Sequence, residues 1–168
     1  FYAREYGLAC VSLRYSNVYG PRQDPSGEGG VVALFCDRMS KRTAPVIYGD
    51  GKYVRDFVHC SDVVRANMSA MERPVTGAFN VSSGSGVEIN KLCAMLAKMY
   101  GFYGQPLRAP ERKNDVRRSV ISNALAGKAL KWKPKMKLEK GLKETLDYFV
   151  SATNRSRKPE TRVRHRER

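Results

Sequence analysis

Apolar positions along the chain repeat in two rhythms, and each rhythm predicts an element. Ile89, Leu92, Cys93, Leu96 and Met99 recur at helical spacing and Gly101 closes the run, so this is the clearest helix in the sequence. Val31, Leu34, Phe35 and Met39 stripe a second helix to about Lys41, and Leu138, Leu142, Leu146 and Phe149 stripe another over residues 138–150. Further helices are expected around 122–131 and from an N-capping Ser61 through Met71. The second rhythm is β-rich and covers residues 9–16, 45–48, 54–58 and 78–81. Residues 17–30 hold Gly20-Pro21, Asp24-Pro25, Gly27, Gly29 and Gly30 and read as loop, while Gly49-Asp50-Gly51 reads as a turn between two short strands. Strands alternating with helices imply a parallel or mixed α/β sheet, a fold in which ligands sit in loops at strand carboxyl ends. Residues 1–7 read as the end of a helix already under way, as though the chain starts inside something larger.

Bulk properties narrow this picture only a little. A chain of 168 residues can bury roughly 70% of its unfolded surface, enough for a core of its own. No apolar run approaches the ~18 residues of a membrane-spanning helix, so no membrane partner is expected. Cys10, Cys36, Cys60 and Cys93 are irregularly spaced, which fits neither a disulfide framework nor a metal clip and points to a reducing cytoplasm. His59 and His165 lie too far apart to suggest zinc, and no metal is expected. The net charge of +15 raises a nucleic-acid reading, so its distribution matters. Lys and Arg between 108 and 143 are interleaved with Leu130, Trp132, Leu138 and Leu142, which fits the solvated faces of packed elements. Residues 151–168 are basic and almost without apolar side chains, so they are expected to form a disordered tail beyond a folded 1–150. Nucleic acid is expected only as a non-specific partner of that tail.

Two short motifs imitate catalytic or cofactor signatures. Tyr48 and Lys52 stand four apart, but the spacing crosses a glycine turn instead of one turn of helix. Gly84-Ser85-Gly86 precedes a helix, yet Ile89 occupies the third glycine position of G-x-G-x-x-G, so a plain turn is the better reading.

Other segments carry more when taken in order. They are Leu13-Arg-Tyr-Ser-Asn17-Val-Tyr-Gly-Pro21, Gly49-Asp-Gly51, Val54-Arg55-Asp56-Phe-Val-His59-Cys-Ser-Asp62, Phe79-Asn80-Val81, Arg112-x-x-Asp115 and Leu130-Lys-Trp132-Lys-Pro134. As a set they resemble the NAD-dependent epimerase/dehydratase family of extended short-chain dehydrogenases/reductases, nearest to its UDP-glucose 4-epimerases. The resemblance implies an α/β fold: the C-terminal part of a Rossmann-like doubly wound sheet interleaved with the smaller substrate-binding domain, truncated at the N-terminus. It also implies NAD as cofactor, a UDP-sugar as substrate and a homodimer for the full-length protein. A UDP-glucuronate decarboxylase or an NDP-sugar 4,6-dehydratase shares most of these motifs. The rival of another class is a basic module that binds polyanions through the 108–143 region and the tail.

Residue by residue, Asn17 follows a strand end, where its amide could donate to a ligand oxygen instead of closing a local turn. Arg55 opens a strand after a glycine turn, and a guanidinium there offers a fixed fork to phosphate. The resemblance places Asn17 on the sugar nucleotide, Arg55 and Arg112 on its diphosphate, Asp115 on the nucleoside side, and Val31, Val46 and Tyr48 around base and ribose. It sets the backbone of Tyr15, Ser16 and Val18 against the nicotinamide. Asp56 is expected to orient Arg55 as an ion pair or to serve a turn. Relatives show Arg-x-Gly-Asp where this chain has Arg112-Lys113-Asn114-Asp115, and Ser122 replaces a frequent Asp. No catalytic residue is expected within the chain, because the resemblance puts the Tyr-x-x-x-Lys pair upstream. The chain by itself is therefore expected to be catalytically silent.

Overall fold

The computed structural model describes residues 1–26 and 30–156. The elements run α1 (Tyr2–Tyr6), β1 (Val11–Tyr15), β2 (Asn17–Tyr19), α2 (Val31–Ser40), β3 (Val46–Tyr48), β4 (Val54–His59) and α3 (Cys60–Met71). They continue with β5 (Gly77–Val81), β6 (Gly86–Glu88), α4 (Ile89–Tyr100), β7 (Leu107–Ala109), β8 (Arg118–Ser119), α5 (Ala124–Ala129) and α6 (Leu138–Ser156). The fold is α/β with mostly parallel pairing, as expected from the alternation.

One extended run serves two ladders. β1 pairs in parallel with β5 from Val11 opposite Gly77 to Tyr15 opposite Val81, and Ser16 N–H continues that ladder by donating to Val81 O at 3.0 Å. The chain then crosses to β4, where Asn17, Val18 and Tyr19 lie opposite Phe57, Val58 and His59. The expected loop at 17–30 thus begins three residues late. These residues become strand because pairing with β4 satisfies their backbone and buries Tyr19. β4 also pairs antiparallel with β6 and in parallel with β8, while β3 pairs in parallel with β7. β3 and β4 therefore flank the Gly49-Asp50-Gly51 turn without pairing with each other; left-handed backbone at Gly49 and Gly51 (φ 60° and 71°) carries the chain from one ladder to the next.

Alternation along β2 and β4 divides the interior. Tyr19 and Phe57 join Phe35, Met39, Leu92, Leu96, Leu142 and Leu146 in one core, whereas Val18 and Val58 face a second built around Phe79, Val81, Leu130 and Trp132. The helical stripes read from the sequence supply eight of the fourteen buried residues of the first core, and strands β2, β3 and β4 add Tyr19, Ile47 and Phe57.

Three helix boundaries differ from expectation. α3 is capped by His59, whose Nδ1 accepts from Ser61 N–H at 3.3 Å, because Cys60 already has helical geometry and Ser61 lies inside. α5 spans Ala124–Ala129, shorter than the expected 122–131. α6 runs on to Ser156 instead of giving way to a tail after residue 150: the Thr153 hydroxyl hydrogen-bonds Ser40 of α2 at 2.9 Å, which fastens the added turn. The rest of the expected tail lies outside the described residues. Between Gly84 and α4 the short β6 intervenes, so Gly84–Gly86 leads into a strand first.

Candidate functional site

Seven residues that the sequence nominates from distant segments line one cavity of about 220 Å³: Asn17, Val31, Val46, Tyr48, Arg55, Arg112 and Asp115. Each is brought there by a strand end, a helix start or the segment between β7 and β8. Leu34, Phe35, Tyr53 and Ile89 complete the lining. The result is an apolar slot with two guanidinium groups in its wall.

The cations are held in place by aromatic rings. The Arg112 guanidinium stacks 4.2 Å above the Tyr48 ring, while Tyr53 lies 5.6 Å from the Arg55 guanidinium and 4.6 Å from that of Arg117. Arg55 donates to its own strand through Val54 O at 3.0 Å and forms an ion pair with Asp115. The Tyr53 hydroxyl donates to Glu111, and that bond to a carboxylate raises the phenol above its ordinary range. Arg117 makes a two-pronged contact with Asp50, at 2.8 and 3.0 Å, which together with the Lys52 backbone N–H lowers the Asp50 carboxyl to about 2. Asn90 fastens the same turn, donating from its side chain to Asp50 O at 2.9 Å and from its backbone to Gly51 O at 3.0 Å. Asn114 has φ 61°, the left-handed backbone that Asn tolerates, so the departure from Arg-x-Gly-Asp preserves the loop that presents Arg112 and Asp115.

Two expectations are narrowed. Asp56 makes no ion pair with Arg55. Adjacent residues of a strand face opposite ways, and the buried Asp56 carboxylate instead accepts from Ser83 N–H at 2.8 Å, Ser83 Oγ at 2.7 Å and Gly84 N–H at 3.1 Å, with Ser16 Oγ at 3.3 Å. Its role is that of a turn partner. Asn17 spends one of its two amide protons on Asp56 O at 3.0 Å, so only the other is open to a ligand.

Tyr15, Ser16 and Val18 do not line this cavity. Tyr15 exchanges hydrogen bonds with Asn67, Ser16 reaches Asp56, and Val18 packs on the second core; together they mark the step from one ladder to the other beside Asn17. Tyr53 is the notable residue that sequence reading passed over. It stands two residues before Arg55, and the period of an extended strand puts both on one face, a clue that was present in the sequence.

Residues 1–82 match the sequence model of the NAD dependent epimerase/dehydratase family. The UDP-glucose 4-epimerase of Mycolicibacterium smegmatis is 38% identical over 150 residues, an overlap covering 88% of this chain and 48% of that protein. Among solved structures, UDP-glucose 4-epimerase from Thermotoga maritima, crystallised with UDP-glucose, is 49% identical and superposes with a TM-score of 0.87 over 90% of this chain and 49% of its own. The Thermus thermophilus UDP-glucose 4-epimerase in complex with NAD is 40% identical, with a TM-score of 0.81 over 90% of this chain and 50% of its own. The chain spans about half the length of the relatives it matches. By sequence and by fold, this chain belongs to the NAD-dependent epimerase/dehydratase family.

Proposed function

We propose that this chain supplies the sugar-nucleotide-binding part of a UDP-hexose 4-epimerase. The observation that carries the reading is the placement of Arg55 and Arg112 in the wall of one apolar cavity with Asn17, Val31, Val46 and Tyr48. Two guanidinium groups match the paired charges of a diphosphate, and each charge-assisted contact contributes about 1.5–3 kcal/mol. The apolar side chains and the Tyr48 ring suit a planar base and its ribose, with Asp115 as acceptor for sugar hydroxyls. Held by its diphosphate, the nucleotide leaves the hexose free to turn, which inversion at C4 requires.

NAD provides reversible hydride acceptance in this family. The contact proposed with it runs along the backbone of Tyr15, Ser16 and Val18, and this sequence holds no G-x-G-x-x-G cradle for the dinucleotide phosphates. The cavity places no Tyr-x-x-x-Lys pair either: Tyr48 is stacked under Arg112 and Lys52 lies exposed beyond the turn. In this reading the residues named here bind the nucleotide, and none of them is assigned the chemistry at C4. Among relatives, the 38% identity to a UDP-glucose 4-epimerase against 28% to a UDP-N-acetyl-α-D-glucosaminuronate decarboxylase from Bacillus cytotoxicus favours epimerisation over decarboxylation.

Isothermal titration tests the reading. UDP and UDP-glucose are expected to bind with one-to-one stoichiometry, and uridine, which lacks the diphosphate, to give no measurable heat. Absence of heat for both UDP ligands overturns it.

A further inference from the structure

A second site lies in the other half of the molecule. Between Lys128 and Lys143 the sequence has seven lysines against Glu139 alone. The structure shows how four of them are deployed. Lys131 has left-handed backbone, φ 52°, and leads the chain out of α5 into an irregular extended stretch before α6. Along it Lys131, Lys133, Lys135 and Lys137 are exposed, while Trp132 is buried and Pro134 and Met136 are half-buried. Alternate residues of extended chain are about 6.6 Å apart, so the stretch presents a row of ammonium groups at an even pitch.

The row is rigidly mounted. The buried Asp62 carboxylate accepts from the backbone of Lys135 and Met136, each at 3.0 Å, and the Trp132 indole donates to Asp62 O at 2.9 Å. Arg65 donates to Lys133 O at 3.3 Å and pairs with Asp62, and Arg73 donates to Leu130 O at 3.0 Å. None of the four lysines takes part in an ion pair among the described residues. Beside them runs an open groove of about 690 Å³ lined by Arg65, Met68, Ser69, Lys131, Lys133 and Lys135, which shares no residue with the cavity around Arg55. A fixed backbone, unpaired cations at regular pitch and an adjoining groove together describe a receptor for a linear chain of phosphates.

We propose that the Lys131–Lys137 row binds the phosphate backbone of single-stranded nucleic acid, without base specificity. Trp132 also lines the groove but is only 2% exposed, too little to offer a base a stacking face, so the contacts proposed are to phosphate and not to bases. The row lies within the 108–143 region named for the rival polyanion-binding reading, and the fold adds that its four alternate lysines are exposed together on a fixed backbone.

The test is fluorescence anisotropy of a labelled mixed-sequence oligonucleotide, single-stranded, titrated with the whole chain at several salt concentrations. The triple variant Lys131→Gln, Lys133→Gln, Lys135→Gln is compared with Lys52→Gln, Lys91→Gln, Lys98→Gln, which removes the same charge from exposed positions elsewhere. Three lost phosphate contacts are expected to weaken binding about tenfold at low salt and to reduce the slope of log affinity on log salt by about 2, with the control near wild type. Inorganic polyphosphate should compete, whereas saturating UDP should not. Equal loss in both triple variants, no loss in either, or binding to phosphatidylserine vesicles without binding to the oligonucleotide overturns the proposal.

Discussion

Arg55 and Asp115, 60 residues apart in sequence, form an ion pair in the wall of the cavity, with the guanidinium largely buried and the carboxylate 36% exposed. A diphosphate entering this cavity would offer Arg55 a second anionic partner. Arg55→Ala should therefore weaken UDP binding by about 10- to 100-fold, the equivalent of one charge-assisted contact. Stability should fall by less than about 1 kcal/mol, since Asp115 remains hydrated when alone. Titration calorimetry beside urea denaturation separates the two effects, and unchanged UDP affinity would remove Arg55 from the site.

Asp56 has the opposite profile, being structural and buried. Asp56→Ala leaves the Ser83 and Gly84 N–H groups and the Ser83 hydroxyl without their acceptor, and should cost about 2–4 kcal/mol in urea denaturation. Asp56→Asn, which keeps one acceptor oxygen, should cost less. A loss below 1 kcal/mol for the alanine variant, as for an ordinary surface change, would contradict the buried network.

These two residues also show what sequence could and could not reveal. Their adjacency left an ion pair or a turn role open for Asp56; the pleat of β4 sends neighbours to opposite faces, which leaves the turn role, and the partner of Arg55 comes from beyond β7. Elements whose own periodicity specifies them, such as α2 and α4, were legible to within a residue or two. β2 was not, because three residues beside a Gly-Pro turn become strand only through pairing with β4. The added turn of α6 was equally hidden, since it depends on a hydroxyl contact to a helix over one hundred residues away. The grouping of the seven cavity residues followed from the family resemblance, whereas Tyr53 needed the strand period to be applied one step further back.

Gly141 marks a close approach between α6 and the β2–β4 pair. A Cβ there would fall 2.3 Å from the Tyr19 hydroxyl and 3.1 Å from the His59 ring, and Tyr19 is itself buried and unable to swing clear. Gly141→Ala should destabilise by about 1–3 kcal/mol. Adding Tyr19→Phe removes the obstructing oxygen and should recover about 1 kcal/mol, seen as non-additivity in a double-mutant cycle. Strict additivity would show that the hydroxyl is not the obstacle.

His59 links stability to mild acid. Burial disfavours its protonated form and lowers its pKa, against a weaker opposing pull from Glu144 and Asp62; Nε2 has no partner among the described residues. The unfolded chain then binds a proton more readily than the folded one, so stability is level above about pH 6.5 and declines as pH falls below it. Unfolding free energies measured between about pH 7.5 and about pH 5.5 should show this decline in the natural sequence and a flatter profile in His59→Gln. Asp50, with its carboxyl near 2, loses its favourable contacts only in stronger acid and does not intrude on this window. Parallel profiles for the two proteins would assign the decline elsewhere.

β4 places a cation on one of its faces at Arg55 and an anion on the other at Asp56, with Phe57 and Val58 dividing the two cores behind them in the same order. The electrical sign of the cavity is thus a matter of strand register. Sliding β4 by one residue past β2 and β6 would point a carboxylate at the ligand and bury a guanidinium against the Ser83-Gly84 loop. The Gly49-Asp50-Gly51 turn sets the phase of β4, so its length, and not only its sequence, decides whether this half of the molecule attracts an anion or repels one.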